Sequence, residues 1–208
     1  MEIHDGWNVS HLVMHSAFDE LGKASEIANV ELSVGDIDYM QCFFAAIEIE
    51  QRRATSRKHL VTAVALFQAG MESLINYWRS KYPDIEGGSN FVAYWKNAFT
   101  IKGVQGSFDD YAYFYRNIRN AIIHPDSVER IETINNLEFI QVYEGIKHGW
   151  VASEKLSQVL GTPYDNNSWE IMCSAHSVPT LPSIKDYPNL GSLRHELNRK
   201  HLKELNRR

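Results

Sequence analysis

Between Thr55 and Lys81 the residues Leu60, Val64, Phe67, Met71, Leu74, Ile75 and Trp78 recur with a period of 3.6 residues. A strand would need strict alternation of apolar and polar positions, and no convincing run of that kind occurs upstream of Pro163. The chain is therefore expected to be all-α. The expected architecture is an antiparallel bundle of four to five main helices, followed by an irregular C-terminal segment and a final helix.

Further helices are expected around this central one. A first runs from about Val9 to Leu32, with Leu12, Ala17, Leu21, Ala24 and Ala28 facing inward. Asp36 is placed to cap a second through Gln51, with Met40, Phe43, Phe44 and Ile47 inward and Gln51-Arg52-Arg53 at its polar end. Pro83 and Gly87-Gly88 then form a loop, and a short amphipathic piece holds Phe91, Tyr94, Trp95 and Phe99 before Gly103 and Gly106 break it. A helix from Phe108 to Ile123 follows, ended by Pro125, which disfavours helical geometry for His124. A long helical region from Val128 to Leu160 is expected to kink near Gly145 or Gly149.

Proline marks the organisation of the chain. Pro163, Pro179, Pro182 and Pro188 crowd one short stretch, so residues 1–160 are read as the bundle domain. Residues 161–208 are read as an irregular segment (161–189) and a basic helix, packed on the bundle or extending from it. That helix carries Leu190, Leu193, Leu197, Leu202 and Leu205 among Arg194, Arg199, Lys200, Lys203, Arg207 and Arg208, a pattern suited to a solvated face or to RNA contact.

Several classes lose support. The 208 residues hold no apolar run of about 18 and no basic-then-apolar leader, so neither a membrane segment nor a secretory signal is expected, and a cytoplasmic location is. Cys42 and Cys173 are too few for a disulfide framework or a cysteine-rich metal site. His11 and His15 stand four residues apart without a third ligand nearby, and no nucleotide-loop or serine-hydrolase motif appears. No metal and no cofactor are therefore expected. The formal net charge of -5 argues against a broadly cationic surface but leaves room for a few converging arginines.

The helix from Phe108 to Ile123 carries the chemistry. At 100° per residue, Tyr111, Phe114, Tyr115, Ile118, Ala121 and Ile122 share an apolar sector, while Arg116, Asn120 and His124 line the opposite side with Arg119 nearby. Ile123 shares the polar side, which points to a covered face and a second subunit. His124 suits proton exchange near neutrality, and Arg119 presents a planar fork matching two phosphate oxygens. Asn120 is suited to orient His124 or hold the phosphate, and Arg116 to widen the positive site. The plain alternatives are an Arg119 ion pair with a surface carboxylate, a His124 that caps the helix end, and an Asn120 that starts the turn.

The segment Arg119-Asn120-Ala121-Ile122-Ile123-His124 resembles the motif of the HEPN (higher eukaryote and prokaryote nucleotide-binding) family. Its members are helical bundles with an Arg, four to six residues and a His late in a helix, often with a polar residue after the Arg. The similarity covers about Asp36 to Leu160. It implies an HEPN-like bundle and a metal-independent endoribonuclease that cleaves RNA by 2'-hydroxyl attack. It also implies a homodimer pairing two motifs in one cleft, an acidic supporting residue best matched by Glu72, and a toxin or defence role restrained by a cognate antitoxin or regulatory partner. The subtype modified on a Tyr two residues after the His does not fit, because Asp126 stands there. The alternative within the same resemblance is a non-catalytic nucleotide-, RNA- or protein-binding module.

Overall fold

The computed structural model describes residues 5–30, 38–85, 88–160, 168–181 and 187–206, and every regular element among them is helical. In chain order these are α1 (Asp5–Ala28), α2 (Tyr39–Lys81), a 3-10 turn (Pro83–Ile85), α3 (Phe91–Ile101) and α4 (Asp109–Phe114). After a π turn (Tyr115–Arg119) come α5 (Asn120–Ile123), α6 (Val128–Asn135), α7 (Phe139–Leu160), α8 (Trp169–Ala175) and α9 (Leu190–Leu205).

Helix α2 is the spine, 43 residues in one piece and roughly 60 Å long at 1.5 Å per residue. The break expected after Gln51 does not occur, because Gln51, Arg52, Arg53 and Ala54 are all good helix formers and neither glycine nor proline interrupts them. Its N-terminus is fixed by a capping box: the Asp38 carboxylate accepts from the Gln41 N–H, and the Gln41 side chain accepts from the Asp38 N–H, both at 2.8 Å. The expected cap, Asp36, lies outside the described residues.

Continuity of α2 also reverses its N-terminal faces. The phase set by Leu60, Val64, Phe67, Met71 and Trp78, all buried, carries back to Ile49, Ala46 and Cys42. Met40, Phe43, Phe44 and Ile47, expected inward, are therefore exposed, Phe44 by 61%. A separate helix would have been free to rotate them in. On α1, Ala17, Leu21, Ala24 and Ala28 are buried as expected, whereas Leu12 is 68% exposed. The α1–α2 contact is close, since a Cβ on Gly70 would lie 2.5 Å from the Met14 side chain.

The region expected as one helix from Val128 to Leu160 is split at residues 136–138, not kinked at a glycine. Gly145 and Gly149 sit inside α7 and admit aromatic rings. A Cβ on Gly145 would meet the Phe114 ring at 2.1 Å, and one on Gly149 would meet Phe67 and Tyr111 at 2.5 and 2.6 Å. After α3, Gly103 and Gly106 take φ values of +63° and +122°, which end the helix as their positions suggested.

The segment 161–189, expected to be irregular, contains α8 within its described part. Trp169 drives it in: its ring lies 5.3 Å from Phe18, and its Nε1–H donates to the Tyr143 hydroxyl at 3.2 Å. Helix α9 docks on α2 with Leu190 and Leu197 buried, while Leu202 and Leu205 stay exposed. Glu138 anchors it, accepting from the backbone N–H of Leu190 and Gly191, both at 3.2 Å, and from Arg53 Nε at 3.0 Å. Cys42 and Cys173 are buried free thiols. Among the described residues no helix is long and apolar enough to cross a membrane.

Candidate functional site

Residues 109–123 form one helical run with a π turn in the middle, in which the Asn120 N–H reaches back to the Tyr115 carbonyl. The extra residue in that turn rotates the later side chains about the axis, yet the apolar sector expected from the sequence stays inward and Arg116 and His124 stay outward, while Arg119 and Asn120 are half-buried. Tyr111, Phe114 and Ala121 are buried, Tyr115, Ile118 and Ile122 are half-buried, and Arg116 and His124 are exposed.

The shift turns Arg119 toward α2. Its side chain is only 15% exposed; one Nη donates to Asn120 Oδ1 at 3.1 Å and the other to Glu72 Oε1 at 3.3 Å. The guanidinium carbon lies 4.8 Å from the centre of the Tyr115 ring, within cation–π range. Its Nε–H is buried with no acceptor among the described residues. Arg119, Asn120 and Glu72 are thus brought together, while Arg116 points outward one turn earlier.

Glu72 is itself held from behind. Gln68 Nε2 donates to Glu72 Oε1 at 2.7 Å, and the Tyr111 hydroxyl donates to Gln68 Oε1 at 3.0 Å. Burial pushes the Tyr111 phenol well above its ordinary range, with Arg119 pulling weakly the other way, so it stays a donor. This chain of contacts fixes the carboxylate that fixes the guanidinium. Gln68 was not singled out from the sequence, and Tyr111 was read only as part of the apolar sector. The available signal was the pair Gln68 and Glu72, two polar residues four apart inside the most apolar stretch of the chain.

His124 stands just beyond α5 with φ -129° and ψ 70°, out of the helical region that the following Pro125 disfavours. Its N–H donates to Asn120 O at 3.0 Å, and its carbonyl accepts from the Asp126 N–H at 2.8 Å and Arg130 Nη1 at 3.0 Å. The backbone is pinned on both sides, and Asp126 and Arg130 form an ion pair at 2.7 Å that tightens the turn. Among the described residues the imidazole itself has no hydrogen-bond partner. Ile123, Val128 and Ile131 flank this turn in sequence, and all three are exposed.

A second histidine group lies elsewhere. His176 contacts Asp19 through Nδ1 at 2.6 Å and His15 Nδ1 through Nε2 at 2.8 Å, and the His11 and His15 rings are 4.1 Å apart. Burial pushes His15 down to about 4, with His11 and His176 adding to the effect and Asp19 opposing it. Among the described residues no group of three His, Cys, Asp or Glu is placed to hold a metal ion.

No family model, curated protein or solved structure matches this chain.

Proposed function

We propose that the chain is a metal-independent endoribonuclease of HEPN type, built on an HEPN-like helical bundle and active as a homodimer that pairs two Arg119–His124 motifs. The observation that carries this reading is an Arg119 guanidinium held by Glu72 and Tyr115, five residues before an imidazole that is open to solvent on a pinned backbone. Such preorganisation lowers the ordering entropy of gripping a phosphate.

In the proposed reaction the RNA 2'-hydroxyl gives its proton to a base and its oxygen attacks phosphorus. The 5'-oxygen then leaves with a proton from an acid, giving a 2',3'-cyclic phosphate. His124 of one subunit serves one proton transfer and the same residue of the second subunit the other, each step typically contributing about 10² to 10⁴ in rate. Arg119, through the terminal nitrogens it shares with Asn120 and Glu72, neutralises the developing phosphorane charge. Arg116 contacts the neighbouring phosphate. The exposed apolar residues Ile123, Val128 and Ile131 support a second copy as the cover of this face. A toxin or defence role, checked by a cognate antitoxin or regulatory partner, suits an RNase that needs no metal.

One observation favours a second reading. Both Nη groups of Arg119 are already engaged within the chain, which suits a binding module that holds RNA or a nucleotide without cutting it. Incubation of the purified protein with labelled RNA in EDTA separates the two. The ribonuclease reading expects cyclic-phosphate ends that vanish in His124→Ala and Arg119→Ala. Binding with no cleavage, or cleavage untouched by either substitution, overturns it, as does a monomer in sizing experiments that cleaves at full rate.

A further inference from the structure

The π turn has a second side. Opposite α6 and α7, Asp110, Tyr113 and Asn117 line a cavity of about 420 Å³ together with Gln141, Glu144 and His148. That volume falls within the range of about 300 to 1,000 Å³ typical of small-molecule sites. Gly145 and the buried Phe114 ring packed directly on it form part of its wall.

The groups lining it are of a particular kind. Glu144 is half-buried and among the described residues has no ion-pair or hydrogen-bond partner, so its oxygens are left to accept from a ligand. Asp110, by contrast, faces His148 Nδ1 at 3.9 Å. Asn117 Nδ2 is spent on the Tyr113 carbonyl at 2.9 Å, leaving its side-chain oxygen as an acceptor. Gln141 Oε1 accepts from the Glu138 N–H at 2.9 Å, leaving its amide nitrogen as a donor. Tyr113, 71% exposed, supplies an aromatic face at the mouth.

We infer that this cavity takes a guanine base of single-stranded RNA. Guanine presents two adjacent donors, N1–H and the exocyclic amine, which one carboxylate accepts together, and Glu144 is that carboxylate. Its O6 and N7 accept, and Gln141 donates. Its planar ring stacks on Tyr113, as unpaired bases do on exposed aromatics. Uracil has one N–H between two carbonyls and would leave the carboxylate half-satisfied. That the guanine belongs to RNA rests on the ribonuclease reading; the base site itself does not.

The test uses nucleosides, which lack a phosphate and so make no demand on Arg119. Titration of the full chain with guanosine, adenosine, cytidine, uridine and agmatine, followed by calorimetry or by amide shifts in NMR, is expected to show saturable guanosine binding. That binding should be at least about tenfold tighter than uridine binding, as one lost hydrogen bond to a charged group implies. Glu144→Gln and Tyr113→Ala should each weaken it by about tenfold while the thermal melt stays that of the wild type, and Arg119→Ala should leave it unchanged. Absence of saturable guanosine binding, equal affinity for uridine, or preference for agmatine, which marks a pocket for cations, overturns the proposal. Guanosine binding without RNA cleavage leaves this site standing and removes the ribonuclease; cleavage without guanosine binding does the reverse.

Discussion

Replacing Gly145 by Ala tests how α7 fixes the π turn. Alone, the change should help, because Ala is better than Gly by about 1 kcal/mol in a helix interior. Here the new Cβ would meet Phe114 Cδ2, Cε2 and Cγ at 2.1, 2.3 and 2.4 Å, whereas ordinary contact begins at 3.4 Å. The ring must retreat by the difference, 1.3 Å, into a site closed by Tyr111, whose ring centre lies 5.8 Å away. Overpacking of this kind costs about 1 to 3 kcal/mol, and a backbone-rooted clash of three ring atoms belongs at the upper end. Less the helix gain, the net loss is about 2 kcal/mol, or roughly 4 to 8 °C in Tm for a chain of this size. Thermal melts of Gly145→Ala, Phe114→Ala and the double variant check this. The two changes should be non-additive, the alanine at 145 costing little once the ring is gone. A Gly145→Ala protein at least as stable as wild type, or strict additivity, would refute the reasoning.

Three other outcomes are expected. Glu138→Ala removes one carboxylate partner of Arg53, which keeps the Asn135 carbonyl at 2.9 Å, and two backbone contacts at the start of α9; a loss of about 2 kcal/mol in urea unfolding is expected, with early proteolysis near residue 190. Glu72→Gln should release Arg119 and lower its affinity for RNA phosphate by a factor of a few, measured by fluorescence anisotropy, while Glu48→Gln, on an exposed pair of the same helix, changes nothing. The pH dependence follows from His15, held neutral in the fold at about 4 against an ordinary 6.5. The unfolded chain takes up the proton first, so stability is complete above pH 6.5 and falls as the pH drops toward 4. After discounting for partial exposure the loss is about 1 to 2 kcal/mol. His15→Gln should flatten the dependence of the urea midpoint between pH 7 and 5, and an unchanged slope would count against it.

Legibility varied along the chain for identifiable reasons. The residues Leu60 to Trp78 could be read as core because their period admits only one face. Met40, Phe43, Phe44 and Ile47 obey the same period, yet Cys42, Ala46 and Ile49 offer a second phase, and only the unbroken α2 chooses between them. The end of the motif helix was readable from Pro125, a local steric rule. The π turn four residues earlier was not, since Tyr115 to Arg119 contains no residue that forbids ordinary α geometry. Helix α8 escaped notice because seven residues are too few for a period to show; Trp169 and its contact with Phe18 decide it.

Sequence by itself determined what depends on neighbours within a turn or two: the helical class, the helix end before Pro125, and the spacing of Arg119 and His124. Tertiary structure decided which partner each polar group meets. That Glu72 faces Arg119 across 47 positions, that Glu138 holds α9 across 52, and that Glu144 meets no donor among the described residues depend on how α2, α7 and the π turn are packed together. Helix periodicity sets the direction of a side chain around its own axis. It carries no information about the distance to another axis.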